Sequence, residues 1–183
     1  MKPCKACPFR PDAPHGLWAA AHYLAIAYLG SVTDPIPELL GQSMGCHEWN
    51  GRLSPNRQPE DTPRCGGWVR AARDSLNVRL AMAFSGLDPE EVYDDTPVLS
   101  PRDMAEANGL DVGLLPDLHY DPGSGQTYDE WKDGIVALRQ AVLDDPTVAL
   151  DYVVPGSPLA LGVERDDVVR AFGEAAASTY FGG

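Results

Sequence analysis

Cysteine occurs four times in this chain, at Cys4, Cys7, Cys46 and Cys65. Cys4 and Cys7 stand in Cys4-Lys5-Ala6-Cys7-Pro8, and this two-residue gap lets one turn direct both sulfurs at the same ion. Cys46 is followed by His47, and Cys65 by Gly66-Gly67-Trp68; the longer gaps are 38 and 18 residues. Thiolates suit zinc and iron–sulfur centres. One pair with two single cysteines, and a proline directly after Cys7, favour an iron–sulfur cluster of the 4Fe-4S kind, with a zinc ion as the close alternative. His47 is a secondary ligand candidate, as the fourth ligand of a three-cysteine zinc site, although a direct neighbour of Cys46 commonly points the other way. Lys5 and Arg10 would offset thiolate charge. Gly66-Gly67 would let backbone amides come close to the sulfurs.

Two readings without a metal are weaker. Buried cysteines can be ordinary small core residues, but a pair flanked by prolines in a polar segment fits that poorly. A thioredoxin-like pair should follow a strand and open a helix; only three residues precede Cys4, and Pro8 and Pro11 follow. No catalytic residues are recognisable elsewhere. His119, in Leu118-His119-Tyr120-Asp121, reads as a loop histidine. Gly123-Ser124-Gly125 lacks the lysine of a phosphate loop. The pairs Asp94-Asp95, Asp144-Asp145 and Asp166-Asp167 read as turns and helix ends. Trp18 and Trp68 read as core, and His15 and His22 as surface or helix-edge residues.

The elements that must position the cysteines follow from periodicity and punctuation. Four prolines make residues 1–16 a loop. The sequence predicts a helix near Trp18–Leu29 ending at Gly30, then a mostly irregular stretch over 31–65. A loop that long needs a restraint, which ligation at Cys46 and Cys65 would supply. Trp68, Ala72, Leu76, Leu80 and Ala83 form an apolar stripe that predicts one helix over Gly67–Phe84, closed by Gly86. Ser100-Pro101-Arg102-Asp103 opens a short helix closed by Gly109. Thr127-Tyr128-Asp129-Glu130 is a capping box for a helix to about Leu143, with Tyr128, Trp131, Ile135, Leu138 and Val142 inward. Val148–Val154 reads as a strand or extended arm, and a last helix is expected over Asp166–Tyr180. The expected fold class is therefore mainly α with long irregular, metal-stapled loops. A cysteine-centred metal-binding module over 1–86 would join an acidic helical part over 87–183, either as separate units or packed as one body.

Hydrophobic residues make up 44% of the 183, which marks a globular chain. The net charge of −13 is uneven. Residues 1–80 carry nine Lys/Arg against seven Asp/Glu, and residues 81–183 five against twenty. The second part would repel a phosphate backbone, so nucleic acid could bind only at the N-terminal half, near Lys2, Lys5, Arg10, Arg52, Arg57, Arg64, Arg70 and Arg73. The acidic part suits a basic protein partner. No apolar run approaches a membrane span, and Leu17–Leu29 lacks the flanks of a signal peptide. The expected setting is the cytoplasm, with reduced thiols and no membrane partner.

Taken together, Pro3-Cys4-x-x-Cys7-Pro8-Phe9-Arg10, Gly16-x-Trp18, Cys46-His47, Cys65-x-Gly67-Trp68 and Met104-Ala105-Glu106-Ala107-Asn108-Gly109-Leu110 resemble an uncharacterised domain family of actinobacteria and their phages. The resemblance covers about residues 3–110 and brings no activity with it. It implies that the four cysteines and His47 form one recurrent constellation, and it suggests an actinobacterial or phage setting. The function expected is that of a soluble metal-binding protein in a non-catalytic interaction or regulatory role. The alternatives are a redox or sensing iron–sulfur protein, or an accessory enzyme acting on nucleic acid.

Overall fold

A computed structural model describes residues 2–40, 44–46, 64–85, 96–162, 164–172 and 174. Among them the architecture is mainly helical. The described residues include no strand, only the isolated antiparallel bridges Gly45–Arg64 and Leu110–Val153. None of their helices is long and apolar enough to cross a membrane.

After a run of turns, the chain enters helix α1 (His22–Tyr28), which is wound as a π-helix, and then a 3-10 turn over Leu29–Ser31. The wider winding, seen in the bond from the Leu29 amide to the Leu24 carbonyl, puts five of the seven α1 residues into the core. The sequence predicts an ordinary helix from Trp18. Trp18 instead lies ahead of it, packed edge-on against Tyr23 at 5.9 Å. The Gly67–Phe84 stripe is divided between two helices, α2 (Gly66–Ala71) and α3 (Leu76–Ser85). Ser75 causes the division by accepting the Val78 amide at 3.2 Å, which starts a new helix. The break rotates the second half of the stripe: Val78 and Met82 are buried there, in place of Leu80 and Ala83.

The later helices follow their sequence signals closely. Helix α4 (Pro101–Asn108) starts where Ser100 accepts the Asp103 amide, and it ends at Gly109 with φ +104°. Helix α5 (Tyr128–Asp144) opens on a complete capping box between Thr127 and Glu130. Trp131, Ile135 and Val142 are its buried residues, while Tyr128 and Leu138 are half-buried. Val148–Val154 is not a strand: Pro146–Tyr152 winds as a 3-10 helix and packs back on α5. Asp145 caps that run through the Thr147 amide. Helix α6 (Pro158–Leu161), which the sequence reading did not anticipate, starts on Ser157. Helix α7 (Arg165–Phe172) matches the start of the last expected helix; the rest of that expectation, from residue 175 on, lies outside the described residues.

α1 packs against both α4 and α5. One apolar core takes in Cys7, Phe9, Cys65 and Trp68 together with Met104, Leu110, Trp131, Ile135 and Ala149. Hydrogen bonds tie early and late segments around it, from Leu99 N to Phe9 O at 2.7 Å and from Thr33 N to Leu118 O at 2.9 Å. The buried Asn108 donates to Met104 O and accepts the Gly16 amide at 2.9 Å, fixing the loop ahead of α1 to α4. A second, smaller cluster seats Val168 of α7 on Ala6 and Leu17, so α7 lies against the Cys4–Cys7 turn.

Candidate metal centre

The first cysteine pair is shaped by its own backbone. The Cys7 amide donates to Cys4 O at 3.1 Å, and the Arg10 amide donates to Cys7 O at 3.0 Å. These successive turns bury Cys7 and leave Cys4 half-buried. Cys65 arrives from the other side. Its amide donates to Met44 O at 2.7 Å, beside the Gly45–Arg64 bridge, and its carbonyl accepts the Val69 amide as α2 begins. The result is a Cys7 Sγ to Cys65 Sγ separation of 3.4 Å between residues 58 apart in sequence, both buried. Cys4 hydrogen-bonds Cys7 through its side chain, extending the contact to a third sulfur. Cys46 is half-buried directly after Gly45, on the segment that pairs with Arg64 next to Cys65. None of the four is joined in a disulfide.

The sulfurs sit among amide donors. The Phe9 amide faces the Cys7 sulfur, and the Trp68 and Gly67 amides face that of Cys65. Gly67 has a steric role as well: a Cβ there would lie 2.2 Å from Cys7 Sγ and 3.1 Å from Phe9 Cβ. Only glycine lets α2 come this close to the first turn. The two buried thiols titrate as a unit. Cys65 is the readier thiolate, lowered by the hydrogen bond from Cys7 and by its backbone donors. Cys7 is raised by its hydrogen bonds to Cys4 and Cys65 and then by burial. Arg10 adds a positive charge near Cys7 and Cys4 and is itself held by Asp12 at 2.5 Å. Trp68 is fully buried, and its indole N–H has no hydrogen-bond partner among the described residues.

The donor set suits a thiophilic ion. Four thiolates about 2.3 Å from one tetrahedral ion stand about 3.8 Å apart, close to the separation of Cys7 and Cys65. The described residues do not, however, present three or more His, Cys, Asp or Glu side chains already posed as a ligand set. The contacts run in a chain, Cys4 to Cys7 to Cys65, at hydrogen-bonding separation. His47 lies outside the described residues, as do Arg52 and Arg57.

Sequence reading did not find the pairing of His119 with Asp34, Nδ1 to Oδ2 at 2.7 Å. His119 is on a loop, as expected, but its carboxylate partner is 85 positions away and no local pattern announces it. Asp34 also accepts the Tyr120 amide at 2.9 Å, which fixes the loop on which the histidine stands.

The profile of the Family of unknown function (DUF6283) matches residues 1–120, and the chain belongs to that family. No curated protein and no solved structure matches the chain. The match takes in all four cysteines, His47 and both members of the Asp34–His119 pair, and it stops before α5.

Proposed function

We propose that this family member is a metal-binding protein in which Cys4, Cys7, Cys46 and Cys65 hold one centre, and that the centre staples the N-terminal loops in a non-catalytic interaction or regulatory role. The observation that carries the reading is the approach of Cys7 and Cys65 to 3.4 Å inside the core. Two sulfurs with amide donors around them, and a glycine that clears the space between, form a partial ligand shell. An ion would replace the shared protons, so uptake releases protons and weakens in acid. Of the two buried thiols, Cys65 gives up its proton before Cys7. Between the two kinds of centre, the sulfur separation favours a single zinc ion. In a cluster each thiolate has its own iron, which holds the sulfurs further apart than around one ion. His47 stays a secondary ligand. A cytoplasmic, reducing setting in actinobacteria or their phages completes the proposal, supported by the thiols and by the motif resemblance.

Elemental analysis with a visible spectrum, on protein purified without oxygen, tests this. One zinc per chain and no colour is the expected result. A brown protein absorbing near about 400 nm, with iron and sulfide in comparable amounts, would move the reading to a redox or sensing cluster. Protein free of both zinc and iron, and unable to take up either, would end it.

A further inference from the structure

Away from the cysteines, a cleft of about 390 Å³ opens between the end of α1, the α2–α3 turn, the start of α4 and the 117–121 loop. The volume falls at the lower end of the range of small-molecule sites, roughly 300–1,000 Å³. Its walls are largely apolar, from Tyr28, Ala71, Ala72, Pro101 and Leu118. The chemistry of its polar lining is one-sided. Tyr28 donates its hydroxyl proton to Pro116 O at 2.5 Å, Ser31 to Ala27 O at 2.7 Å and Thr33 to Leu118 O at 3.0 Å. Ser100 donates to Asp103 at 2.7 Å. Arg102, the cation of the lining, is committed to Asp117 at 2.8 Å and to Val112 O at 2.9 Å. These bonds engage the lining hydroxyls of Tyr28, Ser31, Thr33 and Ser100 and two N–H groups of Arg102, and the charge of the lining is three carboxylates against one guanidinium.

The acceptors are in surplus. Asp74, Asp117 and Asp121 line the cleft, Asp117 sharing one oxygen with Arg102 and Asp74 lying 3.9 Å from the exposed Arg73, and an ionised carboxylate only accepts. His119 uses Nδ1 on Asp34, which leaves Nε2 as the ring nitrogen open to a ligand. A ligand complementary to this lining must bring donors, positive charge and an apolar body. We propose that the cleft binds a small organic cation, a primary amine or guanidine carried on a ring or short hydrocarbon. The apolar walls take the body, and His119 with the lining carboxylates takes the charged head. This inference does not depend on the metal centre.

Amide chemical-shift titration of the full-length protein in low salt tests it, with tyramine as the probe and 3-(4-hydroxyphenyl)propionate as its acidic counterpart. Tyramine should give saturable shifts confined to Ala72, Leu118, His119 and their neighbours, and the acid should give none there. The double variant Asp74→Asn with Asp121→Asn keeps side chains of the same shape, and the new amide oxygen at position 121 can still accept the Gly123 N–H. It should bind tyramine about tenfold more weakly, equivalent to about 1.4 kcal/mol. His119→Ala should weaken binding while leaving the spectrum of α5 unchanged. Equal binding of amine and acid, shifts elsewhere on the surface, or an undiminished affinity in the double variant would each overturn the proposal.

Discussion

The cysteine region and the α4–α6 region begin their helices in different ways. α2 starts on Cys65 with no side-chain cap, and α1 starts on Ala21, also uncapped. α4, α5 and α6 start on Ser100, Thr127 and Ser157, each accepting a first-turn amide. The first pair of helices owes its position to what it is packed against: Trp68, Tyr23 and Tyr28 are each 0–1% exposed. The later helices carry their boundaries within a few residues of their own sequence. Local stability should differ accordingly, with the cysteine region depending on long-range contacts and on any ion its sulfurs hold, and the α4–α6 region depending on caps.

The largest effect that would sharpen this contrast is the loss of a proposed ligand. Cys65→Ser, or exhaustive chelation of the wild type, should lower the melting temperature by more than about 10 °C if the centre contributes several kcal/mol, since a chain of this size shifts roughly 2–4 °C per kcal/mol. Hydrogen exchange should accelerate in α2 and around Phe9 before it does in α5. A melting curve unchanged by chelation in protein shown to contain metal would erase the difference between the regions.

Gly67→Ala should come next, because its Cβ would meet Cys7 Sγ at 2.2 Å. Overpacking of this kind costs roughly 1–3 kcal/mol, and the displaced sulfur should also weaken metal uptake, measured by competition with a chromophoric chelator. The matching change in the other region is Gly109→Ala. That glycine has φ +104°, and a Cβ there would lie 2.3 Å from Ser157 Oγ. A stability loss of similar size, roughly 1–3 kcal/mol by urea unfolding, is expected with metal affinity unchanged. If Gly109→Ala also weakened metal uptake, the two regions could not be treated as separable.

How much of this was legible in the sequence divides along the same line. Ser100-Pro101, Gly109 and Thr127-x-x-Glu130 carry their structural meaning in side chains that bond to nearby backbone, and the structure follows them. The α2–α3 break was readable too, in Ser75, but the apolar stripe running across it gave the stronger periodic signal. The π-winding of α1 was not readable, since no residue of His22–Tyr28 announces it; α4 and α5 pack against that helix. The cysteine spacing named the atoms that could meet, and Cys7 and Cys65 do meet. What it could not supply was the sulfur separation, a three-dimensional quantity on which zinc and iron–sulfur ligation by the same thiolates would differ. The Asp34–His119 pair has no sequence signature at all, being made by a chain reversal 85 residues long.

Smaller effects belong to the caps themselves. Thr127→Ala removes the hydroxyl that accepts the Glu130 amide at 3.2 Å and should cost about 1 kcal/mol in urea unfolding. The pH dependence of the same box gives the finest test. The Thr127 amide and hydroxyl both donate to the Glu130 carboxylate at 2.8 Å, which lowers its pKa below the ordinary 4.5. A carboxyl group whose folded pKa is depressed stabilises the fold above its unfolded pKa. That contribution disappears as the pH falls from about 4.5 through the folded value. Glu130→Gln should therefore flatten part of the acid limb of the stability curve while leaving stability near neutrality only slightly reduced, because the amide oxygen of glutamine can still accept the Thr127 N–H. The group is exposed, so the change should be small and should shrink further in high salt. An acid limb identical in the wild type and Glu130→Gln would mean that the box is held by the helix behind it rather than by its own charge, and the cap-dependent region would then resemble the cysteine region in leaning on packing.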